Sequence, residues 1–147
     1  MKPRICGPCQ MCCTWLAVET IGKACGVPCE HLTAHGCGIY EMRPDECRIF
    51  TCAWLVGMGD VSVRPDRLNG VVTAAPERQL IVIFTPDLDL PERSAYVRKL
   101  LAVQGRRGHG LILVKGDEPR KIWAKEEDME RIMALSATEQ KATGTDG

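Results

Sequence analysis

The chain has 147 residues, and its 19 lysines and arginines balance its 19 aspartates and glutamates. That balance supplies no bulk field toward nucleic acid or a membrane surface, and no apolar run is long enough to span a bilayer. What stands out is nine cysteines, all between Cys6 and Cys52.

The opening, "MKPRICGPCQMCC", carries some positive charge but lacks the apolar core of a secretory leader, so the expected location is cytoplasmic. In a reducing compartment, clustered cysteines point to metal binding or catalysis before a disulfide framework, and an odd number would strand one thiol. Cys6-Gly7-Pro8-Cys9 is letter for letter a thiol-disulfide exchange motif. Such a motif works at the start of a helix that follows a strand, and only five residues precede Cys6. Glycine and proline between two cysteines equally suit a metal knuckle, where a bent backbone brings two sulfurs together.

The region from residue 1 to 58 is rich in turn formers, with glycine or proline beside almost every cysteine. It cannot bury much apolar area, so a metal is expected to staple it. Two short helices are expected, one from Gln10 to about Ile21 and one from Pro44 to about Leu55. Residues 59–147 read as an α+β unit. "GVVTAA" and "QLIVIFT" form a hairpin pattern, and "LPERSAYVRKLLAVQGRRG" has helical spacing. "GLILVKG" and "EPRKIWA" read as two further strands. "KEEDMERIMALSATEQ" is a closing helix with Met129, Ile132 and Met133 expected on one face. The order ββαββα suggests an antiparallel sheet with the helices on one face.

The cysteines divide into Cys6, Cys9, Cys12 and Cys13, then Cys29, Cys37, Cys47 and Cys52, with Cys25 left over. A tetrahedral zinc site or an iron–sulfur cluster takes four thiolates, so eight allow two sites, or one site with passengers. Adjacent Cys12 and Cys13 point apart and fit better as contributors to two sites, or as one ligand beside a buried spectator.

The stretches "CGPCQMCC", "CEHL" at Cys29 and "CGIYEMRPDECRIFTCAWL" resemble the YkgJ-type CxxCxxCC cysteine-cluster family, described as zinc- or iron-chelating domains. The last stretch follows the pattern C-x-I-Y-E-x-R-P-x-x-C-R-x-F-x-C at every specified position, and the resemblance covers residues 5 to 55. It implies metal chelation through the eight cysteines and no particular reaction. Cys25 lies outside the pattern.

Thiolate sites are anionic, so Arg43 and Arg48, flanking Cys47, are expected to donate charge-assisted hydrogen bonds toward sulfur, unless they pair with Glu41, Asp45 or Glu46. Tyr40, Phe50 and Trp54 are expected as an apolar lid, and His31 or His35 could replace a sulfur. His109 reads as a turn residue. No complete catalytic motif occurs. A closed zinc site accounts for eight cysteines most simply, while C-x2-C-x2-C also begins bacterial ferredoxin motifs, so both cofactors stay open. The sequence thus suggests a metal-binding protein with a structural or sensory role and room for a protein partner. The alternatives are an iron–sulfur electron carrier or redox enzyme component, and a metal storage or delivery protein.

Overall fold

The computed structural model describes residue 4 and residues 9–34, 36–50, 52–75, 77, 79–116, 118 and 120–142. The first half holds only short elements: helix α1 at Met11–Trp15, strands β1 at Leu32–Thr33 and β2 at Gly36–Cys37, and helix α2 at Asp45–Ile49. Both expected helices are therefore shorter than the sequence suggested. After α1 the chain turns extended at Leu16, and a 3-10 turn at Glu19–Ile21 leads into left-handed Gly22, with φ 67°. Val18 and Lys23 then pair across that turn, each accepting the other's backbone N–H at 3.0 Å. The second helix stops at Phe50, whose backbone is extended.

Helix α3 spans Pro65–Leu68 and leads into a four-stranded sheet of β3 (Val71–Ala75), β4 (Leu80–Phe84), β5 (Gly110–Val114) and β6 (Lys121–Trp123), in that spatial order. The fold class is α+β. The β3–β4 and β5–β6 pairs are antiparallel, but β4 and β5 run parallel, from Leu80 opposite Gly110 to Phe84 opposite Val114. The sheet is mixed, correcting the antiparallel expectation. Helices α4 (Leu90–Arg93) and α5 (Ala95–Arg107) lie between these two strands and return the chain to the edge where β4 began. Ser94 separates the two helices, and its hydroxyl accepts the Val97 N–H at 3.3 Å as an N-cap.

The helices also cover both faces and not one. Leu90, Val97 and Leu100 of α4 and α5 pack with Val72, Ile81, Ile83, Leu111 and Leu113. On the opposite face, Ile132 of α6 (Glu126–Ala142) joins Val71, Leu80, Val82, Phe84, Ile112 and Val114. Every residue of β4 and β5 is buried, as "LIVIF" and "GLILV" require: a strand apolar at each position needs cover on both sides. Along α6, Met133 faces solvent, so it does not share the packed face with Ile132.

The cover on the α6 side is completed by the cysteine-rich half. Cys25, Cys52 and Trp54 belong to that core, with Met11, Trp15, Leu16, Phe50 and Leu55 packed against it. Side chains from either side of residue 58 thus share one apolar cluster. Gly26 marks how close the two halves come: its φ is +81°, and a Cβ there would lie 3.1 Å from the Gly116 Cα. Among the described residues, no helix is long and apolar enough to cross a membrane.

Candidate functional site

Six cysteines, from four separate stretches, line one cavity of about 690 Å³. Cys9 precedes α1, Cys12 and Cys13 lie within it, Cys29 is in the following loop, Cys37 is on β2, and Cys47 is in α2. Hydrogen bonds hold these stretches together. The Cys29 backbone N–H donates to the Cys13 carbonyl at 2.9 Å, and the Gln10 side-chain amide donates to the Thr33 carbonyl at 2.9 Å. The small hairpin sets Leu32 opposite Cys37, and the Gly38 N–H reaches the His31 carbonyl at 2.6 Å, folding Cys37 back toward Cys29. The His31 N–H lies 3.4 Å from the Cys29 sulfur, a contact that strengthens when sulfur carries charge.

The α2 side is clamped by Glu46. Its carboxylate accepts the backbone N–H groups of Glu19 at 3.1 Å and Thr20 at 2.7 Å, together with the Thr20 hydroxyl. Those bonds hold the Glu46 carboxyl below its ordinary value, the Thr20 hydroxyl contributing most. Cys47 is carried on the same helix. The apolar part of the cavity wall includes Leu16, Val18, Ile21, Ile39, Phe50 and Leu55.

The thiols differ in their readiness to ionise. A hydrogen bond from the Cys12 thiol brings Cys13 down to about 7, against the opposing effect of burial and with help from Lys23. Cys47 is pushed up, first by burial and then by Cys13, Cys29 and Cys37. A cation among these sulfurs would reverse that balance, since coordination favours the thiolate.

Two other cysteines lie elsewhere. Cys25 is buried, its thiol donating to the Trp15 carbonyl at 3.0 Å. Cys52, an expected ligand, is buried in the core beside the sheet and does not line the cavity. Cys6 and His35 lie outside the described residues, as does the side chain of Arg48. Arg43 lines the cavity with its guanidinium 4.0 Å above the Tyr40 ring. Of the expected lid, Tyr40 and Phe50 line the cavity, with Tyr40 largely exposed, whereas Trp54 is core and donates its indole N–H to the Asp60 carbonyl at 3.1 Å. His31 lines the cavity with its Nε2 3.5 Å from Glu30, and His109 pairs with Gln104 at 2.9 Å after α5.

Three residues with evident roles carry no motif signal. Lys23 is buried at the cavity wall. Glu46 sits inside "RPDEC" but acts on a turn some 26 positions earlier. Arg4 donates to the carbonyls of Trp54, Met58 and Gly59 at 2.9, 3.1 and 2.7 Å and stacks on the Trp54 ring.

Among the described residues, no three Cys, His, Asp or Glu side chains stand close enough to hold an ion together. The sulfurs share a cavity wall and not a coordination sphere. In chemistry the donor set suits a thiophilic metal or cluster: several thiols, one acidified, in a cavity that buried Lys23 also lines. Cys9, Cys12, Cys13, Cys29, Cys37 and Cys47 line the cavity and are the residues that would hold such a group. No protein-family model matches the chain, and no curated protein or solved structure matches it.

Proposed function

We propose that this protein binds metal through its CxxCxxCC cysteines, chelating zinc or an iron–sulfur cluster that staples the first half of the chain in a structural or sensory role. One observation carries the reading: six cysteines from four stretches line the same cavity, while Cys25 and Cys52 are packed into the core. The likeness of residues 5 to 55 to the YkgJ-type family supports the same chemistry and rests on the motif residues. Zinc would act here as a closed structural centre, and a cluster would add electron transfer. The α+β half offers the surface for a protein partner.

Anaerobic purification, elemental analysis and a visible spectrum test the proposal together. Stoichiometric zinc in colourless protein, or iron and sulfide in brown protein, is the expected result. A chain that emerges without metal and takes up neither Zn²⁺ nor iron with sulfide overturns it.

A further inference from the structure

Lys23 is the most deeply placed cation on the cavity wall, with 8 % of its surface exposed. Its ammonium donates to the backbone carbonyls of Thr14 at 3.0 Å, Leu16, and Ala24 at 3.2 Å. Those three bonds use all its donors, so Lys23 cannot also donate to sulfur. The backbone is pinned as well, through the paired N–H and carbonyl groups of Val18 and Lys23. A buried charge is costly unless compensated, yet among the described residues no carboxylate pairs with this ammonium. Six sulfurs share its wall, from Cys9, Cys12, Cys13, Cys29, Cys37 and Cys47, while the Glu46 carboxylate on that wall is bonded to Glu19 and Thr20.

The geometry points to Lys23 as the fixed counter-cation of the cysteine cavity, a positioning residue that offsets the negative charge thiolates build up when they hold metal. The inference rests on the metal-binding reading above. Four thiolates around Zn²⁺ leave a net charge of about −2, and clusters are similarly anionic. A cation held by three carbonyls offsets that charge without reorganising. The other charged groups on the wall are differently engaged. Arg4 is spent on carbonyls and the Trp54 ring, Arg43 lies over exposed Tyr40, Glu46 is committed to Glu19 and Thr20, and the His31 ring lies beside Glu30. Burial pulls the Lys23 pKa below the ordinary lysine value, and Cys25, Cys29, Cys13 and Cys12 act in the opposite direction.

The test uses the full chain as wild type, Lys23→Gln and Lys23→Arg. Glutamine keeps donors for the carbonyls and removes the charge, and arginine keeps both. Two readouts are taken: the Co²⁺ dissociation constant, followed by thiolate charge-transfer bands, and alkylation of metal-free thiols by anionic iodoacetate relative to neutral iodoacetamide. Lys23→Gln should weaken Co²⁺ binding about 10-fold. It should also lower the alkylation ratio about threefold or more, on the scale of one nearby buried charge. Lys23→Arg should restore both.

A folded Lys23→Gln protein with an unchanged alkylation ratio, or with Co²⁺ affinity within about twofold of wild type on that scale, overturns the proposal and leaves Lys23 a backbone staple. If Lys23→Gln does not fold, the wild type decides alone. Its alkylation ratio must be higher in the native than in the urea-unfolded chain, and an equal or lower ratio overturns the proposal. Wild type that binds no Co²⁺ at all defeats the metal-binding reading itself, an outcome distinct from failure of the variants.

Discussion

The Glu46 carboxylate caps the turn at Thr20, accepting its backbone N–H at 2.7 Å and its hydroxyl besides, so α2 and the turn after α1 are one mechanical unit. Cys47 rides on one partner, and Cys12 and Cys13 lead into the other. Glu46→Ala should cost about 1 kcal/mol, less than the roughly 1.5–3 kcal/mol of bonds to a charged group because solvent screens this exposed site. It should also speed metal loss to a mild chelator without changing metal stoichiometry. Chelator kinetics indistinguishable from wild type would show that this clamp does not hold the cavity walls together.

Cysteine substitutions should sort by location. Serine at Cys12, Cys13, Cys29, Cys37 or Cys47 should reduce bound metal, because a hydroxyl is a poor ligand for a soft site. Cys25→Ser keeps a donor toward the Trp15 carbonyl and should leave metal content intact. Cys52→Ser should keep the metal but lower stability by about 1–3 kcal/mol, the cost of placing a hydroxyl in apolar surroundings. Metal loss from Cys52→Ser as large as from Cys47→Ser would move Cys52 into the ligand set.

Gly110 opens β5 directly beneath α6. A Cβ there would meet Ile132 Cγ2 at 2.7 Å and two more of its carbons within 2.9 Å. Gly110→Ala should therefore destabilise by about 1–3 kcal/mol through overpacking, lowering the melting temperature. Adding Ile132→Ala should cost less in the Gly110→Ala background than in wild type, the signature of two residues in contact. Simple additivity of the two changes would contradict this packing.

At the start of α3, an Arg64 N–H donates to Asp66 at 2.6 Å and holds the Asp66 carboxyl below its usual range. The folded chain therefore binds that proton less readily than the unfolded one. The stabilisation is fully present above the unfolded aspartate pKa of about 3.9 and fades as pH falls through the lower folded value. Asp66→Asn should lower the melting temperature near neutral pH, and the gap from wild type should narrow below about pH 3. A gap that is constant with pH would remove this pair from the acid response.

The sheet strands were legible because "LIVIF" and "LILV" are dense, β-branched and bounded by turn formers. Their pairing was less so. Reading ββαββα as antiparallel treated each apolar run as half-buried, although the absence of alternation in both runs already called for two-sided cover. The helix around Tyr96 was visible by period, but the Ser94 cap that splits it from α4 reads as an ordinary helical position until the Val97 contact is known. At the site, cysteine spacing singled out six residues that line one cavity. It did not separate Cys52 from Cys47, because both fit the same motif and only the approach of the sheet distinguishes them. Lys23 could not be found at all, since three backbone carbonyls leave no imprint in sequence.

The N-terminal half roofs one face of a sheet that is translated after it, and this sets an order in time. Trp15, Cys25, Cys52 and Trp54 share a cluster with Leu80 and Val82 of β4 and Ile112 and Val114 of β5, so the surface they roof is incomplete until β5 has been made. At roughly 5–20 residues per second, the interval between residues 52 and 114 lasts about 3–12 seconds. During that interval the thiols have neither the sheet behind them nor a settled cavity. They are then open to oxidation and to whichever thiophilic ion is most available. Slowing translation between Val56 and Val114 should therefore raise the share of full-length protein with oxidised thiols.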